Sequence, residues 1–144
     1  MMRRYADSYI DQLIGRSDYE AMVDLQGVLM SGPRVNLDAP DYGLPSIPFV
    51  FVESILWFAQ SVRSGAWTYF ELTVKDRQAA MYEALDSFAP LGFAEKYKYG
   101  SEYWRDSERM KELDRWIDDS DDSCTRWLAE FQRNNRDVFW PLYA

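Results

Sequence analysis

Residues 48–64 read Pro-Phe-Val-Phe-Val-Glu-Ser-Ile-Leu-Trp-Phe-Ala-Gln-Ser-Val-Arg-Ser, and this stretch decides the fold. Phe49, Val50, Phe51, Val52, Ile55, Leu56, Trp57, Phe58 and Val62 put apolar side chains on nearly every side of a 3.6-residue repeat. Phe and Val also suit a buried strand, but about sixteen residues without a breaker are too many for one. A helix that is apolar all round belongs in the interior. The expectation is therefore an all-α bundle wrapped around this helix, with Leu56 in the core. Ser46 and Pro48 suit its N-cap and first turn, and Gly65 its end. Glu53 and Gln60 interrupt the apolar run, which is shorter than the roughly 20 residues a membrane span needs.

Helix signals continue on both sides. Upstream, Tyr5, Tyr9, Ile10, Leu13 and Ile14 recur at helical spacing, with Gly15 placed as the residue after the helix. Ser17-Asp18-Tyr19-Glu20 reads as a capping box ahead of Met22, Val23, Gln26, Leu29 and Met30. Gly32-Pro33 stops that helix, and a proline-rich loop fills 33–48. Downstream, an aromatic segment from Ala66 to Phe70 leads to a helix capped near Thr73 and stopped at Pro90. A further helix over 91–103 carries a break at Gly100. Ser107 to Ile117 reads as one helix, and Ser120-Asp121-Asp122-Ser123 as the cap of a last long one bearing Trp127, Leu128 and Phe131. Asp137 to Ala144 is a short aromatic tail. The total is six or seven helices in a single domain, with no strand.

Composition narrows the chemistry. The 144 residues contain no histidine and one cysteine, Cys124. Histidine is the commonest general acid–base residue and metal ligand, so Ser-His-Asp and Cys-His hydrolysis and most zinc chemistry are excluded. A single cysteine forms no internal disulfide, and the N-terminal residues lack the apolar segment of a signal peptide, so a cytoplasmic location is expected. The formal net charge is −8. Such a chain repels nucleic-acid phosphates and attracts basic surfaces. With six Trp, ten Tyr and eight Phe the chain is also aromatic-rich, which suits binding better than catalysis, although Trp57, Phe58, Trp67, Tyr69 and Phe70 are most simply core.

The acidity is uneven, with eleven of the 24 Asp and Glu residues falling in 101–144. Glu112, Asp114, Asp118, Asp119, Asp121 and Asp122 read as a helix–loop–helix corner that would dock Lys and Arg. The bland alternative is a solvated corner whose last two aspartates merely favour a helix N-terminus, at about 0.3–1 kcal/mol each. The run 118–122 lacks the glycine and distal glutamate of an EF-hand loop, and neither a metal nor another cofactor is expected. Paired carboxylates could serve a hydrolase, but no pair stands out. Cys124, with acids beside it and no histidine, is a packed residue rather than a nucleophile. Asp41 and Tyr42 in the proline-rich loop are a second candidate contact. The stretch Tyr97, Tyr99, Tyr103, Trp104, interleaved with Lys96, Lys98 and Arg105, is an alternative face.

At Arg63-Ser64-Gly65-Ala66-Trp67-Thr68-Tyr69-Phe70 the chain resembles the small acidic helical proteins of the DNA-mimic type. Ala84-Leu85, Leu91-Gly92-Phe93-Ala94, Leu113-Asp114-Arg115-Trp116 and Asn134-Asn135-Arg136-Asp137-Val138-Phe139 continue the likeness over about residues 47–140. The family pattern has a second glycine where Ala66 stands. The resemblance implies an all-α fold and a protein that occupies a partner's basic surface with carboxylates. Such domains are also similar to the immunity proteins that neutralise bacterial toxins. The first expectation is thus a non-enzymatic inhibitor of a basic protein, an immunity protein for a cognate toxin. A DNA mimic that sequesters a DNA-binding protein comes second. A carboxylate-based or metal-dependent hydrolase, or a homodimer built on the aromatic face, remains as the rival class.

Overall fold

The computed structural model describes the backbone of residues 5–143 and the side chains of 5–139. In chain order its helices are α1 (Asp7–Arg16), α2 (Tyr19–Met30), α3 (Ser46–Ser64), α4 (Ala66–Leu72), α5 (Lys75–Phe88), α6 (Phe93–Tyr103), α7 (Ser107–Asn134) and α8 (Arg136–Tyr143). No strand occurs among the described residues. The 48–64 segment is the centre of the bundle, starting two residues early at Ser46: α3 packs on α2, α4, α5, α7 and α8. Phe49, Val50, Phe51, Val52, Ile55, Trp57 and Phe58 are all buried. Trp57 meets Tyr97 edge-on and stacks on Trp116, and Phe51 packs on Phe139 of α8. The aromatic surplus is thus spent largely inside.

One part of this expectation is corrected. Leu56 is 42% exposed and Val62 55% exposed. Both residues line a groove shared with Tyr19 of α2 and with Asp121, Asp122 and Thr125 of α7. Leu56 is therefore not a core residue. Glu53, by contrast, is buried, and the apparent interruption of the apolar helix lies inside the molecule.

A second correction concerns the acidic corner. Residues 107–134 form one continuous helix of 28 residues, so Ser120 to Asp122 cap nothing. Ser123 Oγ and Thr125 Oγ1 donate back to the carbonyls of Ser120 and Asp121, the mid-helix alternative to capping. The N-cap is Asp106, whose side chain accepts from the N–H groups of Glu108 and Arg109. The apolar register also runs unbroken: Met110, Leu113, Ile117, Cys124 and Leu128 are buried along one side.

The remaining junctions differ in detail. Ser17 rather than Gly15 closes α1, at φ +56°, and Asp18 rather than Ser17 caps α2 by accepting from Ala21 N–H at 2.8 Å. Gly100 does not break α6: a Cβ there would lie 2.1 Å from the Phe70 ring, so glycine permits α6 to approach α4. The proline-rich connection between α2 and α3 is tied down. Arg77 of α5 donates to the carbonyls of Leu37, Ala39 and Pro40 at 2.7, 2.8 and 3.0 Å. The 137–144 tail is helical through Tyr143, and Ala144 lies outside the described residues.

Candidate partner-binding face

A 3.6-residue turn sets Asp114, Asp118, Asp121 and Asp122 along one side of α7, with Asp119 further round. The structure gives the expected site residues different tasks. Asp114 is half-buried, and its Oδ1 accepts from Ala66 N–H at 2.7 Å, which satisfies an orphan donor in the first turn of α4. Glu112 is exposed and accepts from Tyr99 Oη at 3.2 Å. Asp41 is half-buried and closes a turn by accepting from Gly43 N–H at 3.0 Å. Tyr42 is buried, so its ring is not a surface contact. That expectation is corrected by the residue's backbone. Tyr42 sits at φ +58°, which turns its ring inward against Phe49 and beneath the Arg77 guanidinium, 4.1 Å from the ring centre.

Asp118, Asp119, Asp121 and Asp122 remain. All four are exposed, and none has a cation within 4.0 Å among the described residues. Partial burial, then the charges of Asp122 and Asp118, raise the Asp121 carboxyl above its ordinary 3.8. These carboxylates repel one another, and no ion pair among the described residues relieves them. Asp121 and Asp122 also line the groove left open over α3. That groove has a volume of about 700 Å³ and is lined by Leu56, Val62 and Arg63 of α3, Tyr19 of α2, and Asp121, Asp122 and Thr125 of α7; Arg63 donates to Gln60 Oε1 at 2.7 Å. Sequence reading found the carboxylates but not the apolar floor, because Leu56 and Val62 look like core.

The alternative aromatic face does not assemble. Tyr97 is fully buried, Tyr99 and Trp104 are half-buried, and only Tyr103 is exposed, at 38%. Trp104 instead lines a separate cleft of about 470 Å³ together with Trp67 and Met110.

Beneath the surface lies a polar node that sequence reading missed. Tyr42 Oη donates to Glu53 Oε1 at 2.5 Å, and Tyr69 Oη donates to Glu53 Oε2. Tyr97 Oη is 2.8 Å from Tyr69 Oη. Burial raises the Glu53 carboxyl, against the lowering effect of both tyrosine hydrogen bonds. Burial likewise raises Tyr69 and Tyr97 well above the ordinary tyrosine value. The node ties the proline-rich connection, α3, α4 and α6 together. An acid standing alone in an otherwise apolar helix was the signal available for it. Cys124 is buried, and that burial pushes its thiol up, away from the reactive thiolate. Among the described residues no three His, Cys, Asp or Glu side chains form a group that could hold a metal ion. No described helix is long and apolar enough to cross a membrane.

Comparison of the chain with protein-family models, with curated proteins and with solved structures gives no match. Function is therefore read from geometry and from the residues themselves.

Proposed function

We propose that this protein is a non-enzymatic acidic inhibitor that binds and blocks a basic partner protein, as an immunity protein does for a cognate bacterial toxin. The observation that carries the reading is the set Asp118, Asp119, Asp121 and Asp122: four exposed carboxylates within about two turns of α7, with no cation within 4.0 Å among the described residues. Like charges on adjacent turns cost a few tenths of a kcal/mol per pair in the free protein. Lys and Arg of a partner would reverse that sign, and the field of a −8 chain would steer them in. The apolar floor beside the carboxylates supports a toxin over a DNA-binding protein, because surfaces built to hold nucleic acid are the more polar.

The test is the triple variant Asp118→Asn, Asp119→Asn, Asp122→Asn, assayed against the toxin-like product of a neighbouring gene. It keeps side-chain size, removes three charges, and touches no hydrogen bond that holds the fold. Inhibition is expected to weaken by at least about tenfold, or about 1.4 kcal/mol. A triple variant that inhibits like the parent at physiological salt would overturn the proposal.

A further inference from the structure

We infer that the α3–α7 groove takes an amphipathic cationic segment of the partner: an aliphatic or aromatic anchor seated on Leu56 and Val62, with a Lys or Arg beside it against Asp121 and Asp122. This rests on the reading above and deepens it, since charge alone would accept any basic surface.

Three observations carry the inference. The first is the floor. α3 is largely buried, yet its Leu56 and Val62 are 42% and 55% exposed, and Tyr19, which lines the same groove, is 47% exposed. Single exposed apolar residues are ordinary, but three lining one groove of about 700 Å³ make a patch of the kind that marks an interaction site. The second is the wall. Asp121 and Asp122 stand on the α7 side of the same groove, and Asp121 is already partly desolvated and pressed by like charges. A cation placed there gains more than it would from a fully solvated carboxylate. The third is the chemistry the groove rejects. A second copy of this chain in the same groove would bring two sets of α7 aspartates together. A nucleic acid or an anionic lipid surface would meet the aspartates directly. Arg63 also lines the groove, but it is one cation against two carboxylates and donates to Gln60 Oε1 at 2.7 Å, so charge complementarity still selects a basic protein segment, and the floor selects one with an apolar side chain. A helix bearing anchors at i, i+3 and i+4 next to lysines has this form.

The experiment uses the full chain and two labelled synthetic peptides of equal length and charge. One sets leucines at i, i+3, i+4 and i+7 with lysines between them, an amphipathic helical pattern; the other replaces every leucine with serine. The parent is expected to bind the leucine–lysine peptide at least about tenfold more tightly, the scale of one well-seated anchor. In Leu56→Ser/Val62→Ser that advantage should disappear, with binding of the serine–lysine peptide unchanged. In Asp121→Asn/Asp122→Asn both peptides should bind more weakly. Circular dichroism confirms that each variant folds, which the exposure of all four side chains makes expected. If the serine substitutions leave leucine–lysine binding unchanged while the asparagine substitutions weaken both peptides, the groove inference fails and the acidic reading stands. If the asparagine substitutions change neither, the charge half fails and both readings fall. A concentration-dependent dimer of the parent that the serine variant abolishes would make the groove a self-interface and overturn the inference.

Discussion

Replacing Glu53 with glutamine should change how stability depends on pH, in a direction the structure dictates. Glu53 is 1% exposed, and burial is the largest influence on its carboxyl. Two tyrosine hydroxyls donate to it, but their lowering effect is the smaller one, so the folded protein holds the Glu53 proton above the ordinary value of 4.5. A carboxyl raised on folding stabilises the native state when protonated. That contribution is full below the unfolded value and is lost as pH climbs through the folded one. Between the two values the native chain binds one more proton than the unfolded chain, so stability falls by up to about 1.4 kcal/mol per pH unit. Above the folded value the loss is complete and the contribution is level.

Glutamine removes this proton without emptying the site. Its Oε1 can accept from one tyrosine, and its Nε2 can donate to the other, because a tyrosine hydroxyl is both donor and acceptor. Tyr42, Tyr69 and Tyr97, which feel the Glu53 charge, are all raised above the ordinary tyrosine value and titrate above the range measured; the remaining titrating groups are shared by parent and variant and cancel in the difference. The measurement is urea unfolding followed by circular dichroism, from about pH 4 to about pH 8. The stability of Glu53→Gln minus that of the parent should rise with pH above about 4.5 and then level off. Glu53→Ala should instead be destabilised by roughly 2 kcal/mol or more throughout, because it leaves two buried hydroxyls without their acceptor. A pH-independent difference for the glutamine variant would mean that the carboxylate is well enough solvated or bonded to ionise normally. The burial argument would then be wrong.

Leu56→Ala should cost less than about 1 kcal/mol, while Trp57→Ala, one position along and fully buried, should cost about 3–5 kcal/mol; equal losses in chemical unfolding would contradict the groove. Gly100→Ala should destabilise by about 1–3 kcal/mol as its methyl meets the Phe70 ring, and a thermal midpoint within about a degree of the parent's would show that α6 can move aside. Partner association should slow as salt rises, because steering by exposed carboxylates is screened over about 8 Å at physiological ionic strength. An on-rate flat from low to high salt would argue against acidic steering.

The fold was legible where periodicity and length agreed. Residues 48–64 were too long for a strand and too apolar for a surface helix, and α3 is central. What periodicity cannot say is which side of an all-round apolar helix its neighbours leave bare. That depends on where the neighbouring helices pack in three dimensions, and Leu56 lies on the side that lines the groove. The merging of two expected helices into α7 has a different cause. Ser and Asp serve equally as caps and as exposed mid-helix residues, and local chemistry at 118–123 favoured the cap. The deciding signal was non-local: Ile117, Cys124 and Leu128 keep the spacing of Met110 and Leu113, with no Gly or Pro between. Glu53 was visible only as an interruption, because its partners Tyr42 and Tyr69 are 11 and 16 residues away and folding alone brings them to it.

Net charge located the candidate face only after the structure had divided the carboxylates by occupation. Asp18 and Asp106 cap helices, and Asp114 holds the first turn of α4. Glu53 and Glu112 accept from tyrosines, and Asp41 closes a turn. Each of these is explained by the fold. Asp118, Asp119, Asp121 and Asp122 are not, for they hold nothing in place and raise the free energy of the unbound protein by their mutual repulsion. The distinction decides how charge-removal experiments should be built. A series that includes Asp114 would lose binding and α4 stability together, since an unsatisfied helix start costs about 0.5–2 kcal/mol, and the two effects would be inseparable. Confined to residues 118–122, the same series removes charge and leaves the packing of α3, α4 and α7 untouched. Any loss of inhibition then reports on the face itself.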